Sequence, residues 1–316
     1  SSCPTPTFTA TLTVVNACDN TPYSAGNIQI RIKPAAIFDS VPPSCVGTPV
    51  CFINETIQGN FGPNCNSLTL YTWNFGDPAS GDKNISHDEN PCHIFSAPGI
   101  YTVTLTATNP CGSSVFTRQI CIVEKPVPDF ELDQDTACAP MVVRTTNTTA
   151  GESSCSPMKY KWSVTYIADY CGNSSGWSFA SGTNDSSVSP VFRFSEAGRY
   201  RLTLAVTNAC GTYYKSKIVH VKRPPKVTIN NVDNICGPLT INPGAIVSAC
   251  GNSPLTYQWT FSGGVPATSD QANPGTITFT GTGIHTITLK VTNECGTTTA
   301  TEQFEIYELP DLTIPP

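Results

Sequence analysis

Apolar and polar residues alternate along Ile100-Tyr101-Thr102-Val103-Thr104-Leu105. Tyr101, Val103 and Leu105 share one side of the alternation and the threonines the other. A period of two predicts a strand with one buried face. The run breaks at Asn109-Pro110-Cys111-Gly112, a cluster of turn residues. The pattern returns at Tyr200-Arg201-Leu202-Thr203-Leu204, closing in Asn208-Ala209-Cys210-Gly211. It returns again at His285-Thr286-Ile287-Thr288-Leu289, closing in Asn293-Glu294-Cys295-Gly296. A further copy runs from Phe8 to Cys18. The closing cysteines recur roughly every 90 residues, the size of a small all-β domain rather than a solenoid repeat. Each repeat is therefore expected to be a bead with its own core.

After each closing cysteine a second alternating run ends in proline, at Pro34, Pro126, Pro224 and Pro310. Proline stiffens the chain and removes a backbone donor, which suits a short junction. The expected division is 1–34, the closing strands of a preceding bead (8–16 and 27–33); 35–126, bead one; 127–224, bead two, with an insertion; 225–310, bead three; and 311–316, a linker or the opening of a next repeat. The chain is thus expected to be an excerpt of a longer array. Within bead one the pattern predicts strands at 49–54, 68–75 and 93–95, with a long polar loop over 76–91. Trp73 in the third strand and Tyr101 in the penultimate one match an immunoglobulin-like sandwich. The fold class expected is all-β: tandem immunoglobulin-like sandwiches in an extended array.

Trp73-Asn74-Phe75-Gly76-Asp77, His93-Ile94-Phe95 and Pro98-Gly99-Ile100-Tyr101-Thr102-Val103-Thr104-Leu105 together resemble the signature of the PKD (polycystic kidney disease) domain. Bead one departs from it at Pro78 and Phe95. Bead two keeps Trp162, Phe194, Gly198, Tyr200 and Leu202 but lacks the Gly-Asp turn. Bead three keeps Trp259, Phe261, Gly283 and Ile287 and carries His285 at the tyrosine position. The resemblance implies seven-stranded, extracellular, non-catalytic sandwiches. Bead two is about ten residues longer between its Trp and its Phe194, as a loop insertion allows. The extra residues carry Cys171 and Trp177, the one tryptophan outside the repeated core position.

Of the 316 residues only 13% are charged, and the formal net charge is −6. No basic cluster points to nucleic acid, and no stretch is apolar for the ~18 residues that a membrane span needs. Fifteen cysteines without a C-x-x-C pair point to disulfides rather than zinc, and hence to an oxidising compartment: extracellular, cell surface or periplasm. Cys65, Cys155 and Cys250 each stand about eight residues before a core Trp, in the loop before the third strand. In an immunoglobulin-like sandwich that loop shares one end with the closing turn, so Cys65–Cys111, Cys155–Cys210 and Cys250–Cys295 are the expected bridges. Cys45–Cys92, Cys138–Cys171 and Cys51–Cys121 follow as a second set. Cys3 and Cys236 have no assigned partner, and the partner of Cys18 is expected upstream of residue 1.

Candidate chemistry is sparse. His87, His93, His220 and His285 form no metal or catalytic motif, and His93 and His285 read as core or hydrogen-bonding residues. Asp77, Asp82, Asp88 and Glu89 crowd one loop. Calcium favours such oxygens, but EF-hand spacing is missing, and a solvated loop whose Asp77 caps its own turn is the competing reading. Asp39-Ser40-Val41 and Asp135-Thr136-Ala137 resemble the Asp-Ser/Thr-apolar O-glycosylation sites of Bacteroidota surface proteins, with Ser40 and Thr136 as acceptors; chance occurrence is the alternative. PKD-like beads, many disulfides and these tripeptides together resemble the giant surface adhesins of that phylum, including those of gliding motility. The expected function is a non-catalytic, disulfide-stapled stalk or adhesin whose partners are neighbouring repeats and a surface polysaccharide or protein. The alternative is a carbohydrate- or protein-binding accessory module of a secreted hydrolase. That module would need exposed aromatics, from Trp177 with Tyr166, Tyr170, Tyr213 or Tyr214. No constellation supports an enzyme.

Overall fold

The run around Tyr101 is the strand Gly99–Asn109, which a two-residue turn at Pro110-Cys111 returns as Gly112–Val123. Val103, Leu105 and Ala107 are buried, while the threonines between them keep part of their surface exposed. Bead two repeats the hairpin as Gly198–Asn208 and Gly211–Lys222, and bead three as Gly283–Asn293 and Gly296–Tyr307. The glycine after the tip cysteine has positive φ in all three beads (129°, 114° and 136° at Gly112, Gly211 and Gly296), which explains the Cys-Gly ending these three turns share. The structure, a computed structural model, describes residues 7–15, 18, 20–29, 31–59, 69–168, 171–251 and 253–310.

The fold is all-β. In bead one the hairpin sits in a sheet ordered Ser44–Cys45, Gly112–Val123, Gly99–Asn109, Leu70–Asn74, Ile85–Ser86; facing it, Pro49–Cys51 pairs with Cys92–Ile94. In bead two the order is Thr136–Cys138, Gly211–Lys222, Gly198–Asn208, Lys159–Tyr166. Its second sheet runs Phe130–Leu132, Met141–Asn147, Val191–Phe194, Trp177–Ala180. Bead three repeats the first sheet as Ile235–Cys236, Gly296–Tyr307, Gly283–Asn293, Thr256–Phe261, Thr268–Ser269. In each bead the short cysteine-bearing edge strand runs parallel to the last strand.

Trp73, Trp162 and Trp259 are 0%, 2% and 0% exposed. Each indole N–H donates to a carbonyl in the loop that follows: Asp88 (3.1 Å), Ser187 (2.9 Å) and Gln271 (3.1 Å). The buried ring is thereby also polar-satisfied. The penultimate-strand tyrosine reaches back four residues, Tyr101 Oη to Ala97 O at 2.7 Å and Tyr200 Oη to Glu196 O at 3.4 Å. His285 replaces that tyrosine and places Nε2 2.8 Å from Gly281 O, also four residues back. At Gly76 of the Trp-x-Phe-Gly-Asp motif φ is +71°, and a Cβ would lie 2.6 Å from Thr102 O.

Three expectations change. The loop over 76–91 contains a 3-10 helix, Pro78–Asn84, and the strand Ile85–Ser86. The strand expected over 27–33 is Asn20–Gln29, paired antiparallel with Thr7–Val15. The insertion of bead two supplies an extra edge strand, Trp177–Ala180, against Val191–Phe194. Among the described residues, those within 1–127, 149–159 and 206–213 form one compact unit, and those within 128–148, 160–205 and 214–316 form a second.

Candidate functional site

The closing turns do more than reverse the chain. In the first unit Asn208 Oδ1 accepts the Cys210 N–H at 2.8 Å, which sets the turn, while Asn208 Nδ2 donates to Glu124 O at 2.8 Å. One side chain thus fixes the tip of bead two and ties it to the residue leading out of bead one. In the second unit Asn293 Oδ1 accepts the Cys295 N–H at 2.9 Å, and Nδ2 donates to Arg223 O at 2.8 Å. Asn109 makes the same pair, to Cys111 N–H at 2.9 Å and Ile32 O at 3.1 Å.

This clamp delivers the tip cysteine to the edge strand beside it. Cys45 lies in register with Val123, the residue before Glu124, and is bonded to Cys210 with Cα atoms 4.8 Å apart. Cys138 lies in register with Lys222, the residue before Arg223, and is bonded to Cys295 with Cα atoms 5.4 Å apart. A second bridge accompanies each: Cys121–Cys155 in the first unit and Cys171–Cys250 in the second. Cys51–Cys92 joins facing residues inside bead one.

The expected pairings Cys155–Cys210, Cys250–Cys295, Cys45–Cys92, Cys138–Cys171 and Cys51–Cys121 are therefore corrected. The loop before the Trp strand and the tip do share an end of the bead: Ser253 Oγ lies 2.9 Å from Glu294 Oε1. Their cysteines, however, face the end of the preceding bead rather than each other. Cys3 and Cys65 lie outside the described residues, so the Cys65–Cys111 pairing keeps the standing of an expectation.

Charge reinforces the second junction. Lys222 Nζ bonds Glu294 Oε1 at 2.6 Å. The hydrogen bond from Lys222, then the N–H of Glu294 itself and Ser253 Oγ, bring the Glu294 carboxyl down to about 2. At the first junction Lys125 Nζ lies 4.5 Å from the centre of the Tyr213 ring, and Tyr213 Oη donates to Cys210 O at 3.1 Å.

The other candidates land elsewhere. Asp77 is buried beneath Ser96 and His93. Its carboxylate accepts Ser96 Oγ (2.6 Å), Ser96 N–H (3.0 Å) and His93 Nε2 (3.1 Å), and His93 stacks on Phe75 at 4.3 Å. Burial alone would raise the Asp77 carboxyl, but the hydrogen bonds from Ser96 and His93 outweigh it and hold the group below its ordinary value. Asp82, Asp88 and Glu89 are exposed and do not join it. Among the described residues no group of three or more His, Cys, Asp or Glu is placed to hold a metal ion. Asp77 is thus a buried, hydrogen-bonded carboxylate set apart from the solvated Asp82, Asp88 and Glu89. Trp177 is half-buried, packed on Phe179 (5.5 Å) and Phe192 (6.3 Å). Tyr166 packs on Tyr200 at 5.7 Å and donates to Gly172 O. Tyr214 is exposed, and Tyr170 lies outside the described residues. Trp177 is thus engaged by phenylalanines of its own sheet. Ser40 and Thr136 are both exposed.

The junction asparagines went unread as functional because Asn-x-Cys-Gly already accounted for itself as a turn. A signal was present: tip cysteines and edge-strand cysteines recur in step, one bead apart.

A family profile described as PKD domain matches residues 50–122 and 222–307. The stretch between the two matches, 123–221, covers most of bead two, which lacks the Gly-Asp turn and carries the insertion. Among solved structures, the titin I-band fragment I67–I69 aligns with 87% of this chain and 98% of its own, at 16% identity and a TM-score of 0.51. An E-to-A variant of the same three immunoglobulin domains aligns with 87% and 99%, at 15% identity and a TM-score of 0.50. At that identity the likeness is one of fold.

Proposed function

Because this chain belongs to the PKD domain family, we propose that it is a non-catalytic segment of an extracellular repeat protein, a disulfide-stapled stalk that serves cell-surface attachment or gliding motility. The observation that carries this reading is the clamp with its disulfide, built twice from the same residue types, Cys45–Cys210 with Asn208 and Cys138–Cys295 with Asn293. The five disulfides among the described residues fit an oxidising compartment. Among the described residues no helix is long and apolar enough to cross a membrane. Ser40 and Thr136 serve as O-glycan acceptors in this reading, and the intact mass of the natively expressed chain tests that part.

A bridge from Cys45 to Cys210 carries load across a sequence separation of 165, and Cys138–Cys295 does so across 157. Tension therefore bypasses much of the chain through sulfur, and what it still loads is the backbone that connects Cys210 with Cys138 or Cys295. Pulled from its ends in oxidising buffer, the chain should extend only a fraction of its contour length. With reductant, each of the beads 35–126, 127–224 and 225–310 should release its full chain, roughly 300 Å at ~3.4 Å per residue. Unfolding steps indifferent to reductant would remove the basis for the stalk.

A further inference from the structure

Bead three presents the receiving half of the two junctions. Cys236 lies in register with Tyr307, as Cys45 does with Val123 and Cys138 with Lys222. The residue after each cysteine donates its N–H to that same strand residue: Gly237 to Tyr307 O at 3.0 Å, Val46 to Val123 O at 2.8 Å, Ala139 to Lys222 O at 2.8 Å. By this register Glu308 stands where Glu124 and Arg223 stand, the residues whose carbonyls accept the tip asparagines. Cys236 is an exposed free thiol, whereas Cys45 and Cys138 are both bridged. Beside it lies a shallow cleft of ≈ 320 Å³ lined by Gly237, Pro238, Tyr307, Glu308 and Leu309, with Leu309 64% exposed.

We propose that this end of bead three is a docking site for the hairpin tip of a further PKD bead bearing Asn-x-Cys-Gly, joined in series. Cys236 bonds the tip cysteine, and Glu308 O accepts the tip asparagine. The series arrangement follows from the acceptor: at both observed junctions the carbonyl belongs to the linker that leads into the bead whose tip it holds. Closure is thiol–disulfide exchange. The Cys236 thiolate attacks one sulfur of a small disulfide such as oxidised glutathione and expels one glutathione thiolate. The tip thiolate then attacks the Cys236 sulfur and expels the second. Two electrons and the two thiol protons end on two glutathione thiols.

The site deepens the stalk reading and rests on it for its use, but its test is bond connectivity, whereas that reading fails on force response. The full chain is extended after Pro310 by a second copy of 225–310, oxidised in a glutathione redox mixture, thiol-blocked and mapped without reduction. The expected product joins Cys236 of the original bead to Cys295 of the added copy. Asn293→Ala in the added copy should lower its yield about five-fold, the worth of one hydrogen bond. A Cys236 that stays alkylatable, or pairs with Cys250 of the added copy, would overturn the site. If tryptophan emission shows the added copy unfolded, a peptide of residues 287–301 with Cys295 as sole thiol replaces it; equal mixed-disulfide yields from this peptide and its Asn293→Ala form would be equally damaging. The unextended chain should stay monomeric, and a dimer bridged from Cys236 to a second copy's tip would contradict docking in series.

Discussion

Trp259 is fully buried, with its N–H satisfied by Gln271 O. Trp259→Ala should destabilise bead three by about 3–5 kcal/mol through lost contacts and a residual cavity, read by denaturant unfolding. Asp77 predicts a pH response. Its folded pKa is depressed, so its stabilisation is complete above the ordinary carboxylate range and is lost as pH falls through the depressed value. Unfolding of bead one between pH 7 and pH 2 should therefore show an acid-side loss that Asp77→Asn flattens; an unchanged slope would remove Asp77 from the account. The tryptophans and Tyr101 were legible in the sequence because they recur at fixed places in an alternating pattern. Asp77 was not. The acidic residues of its loop, Asp82, Asp88 and Glu89, suggested a cluster, yet its partners Ser96 and His93 come from the strand and turn that the fold lays over it.

The long hairpins carry the fold, and they were legible for a physical reason: eleven- and twelve-residue strands display many periods of two. Edge strands such as Ser44–Cys45 and Ile235–Cys236 hold two residues and display none. Yet Ser44–Cys45 receives one tip and the three-residue Thr136–Cys138 the other. The clamp is a property of the turn as an element, since its asparagine sets the tip and grips the linker together. Asn293→Ala should therefore cost about 1 kcal/mol at that junction and raise hydrogen exchange at the Cys295 amide. Asn293→Asp should keep the turn, whose acceptor is Oδ1, but lose the bond to Arg223 O. If both variants exchange like the wild type, the tip is held by something else. The insertion of bead two was visible as extra length, but its pairing with Val191–Phe194 was not, since a four-residue strand reads as loop.

At the scale of the molecule, the number and recurrence of the cysteines were legible but their connectivity was not, because pairing depends on which bead each loop faces. Spacing within a bead suggested closure on itself. The fold turns both cysteine-bearing loops toward the preceding bead instead, and the two tip bridges close far longer loops. Cross-linking across 157 or 165 residues restricts the unfolded chain by roughly 5 kcal/mol in the chain-entropy treatment, so Cys138→Ser should loosen beads two and three together. The bead-to-bead pairing is the claim on which the stalk and the docking site both stand, and peptide mapping without reduction tests it most directly. The account predicts Cys45–Cys210, Cys121–Cys155, Cys138–Cys295 and Cys171–Cys250, beside Cys51–Cys92 within bead one. Recovery of Cys155–Cys210 and Cys250–Cys295, each confined to one bead, would contradict it.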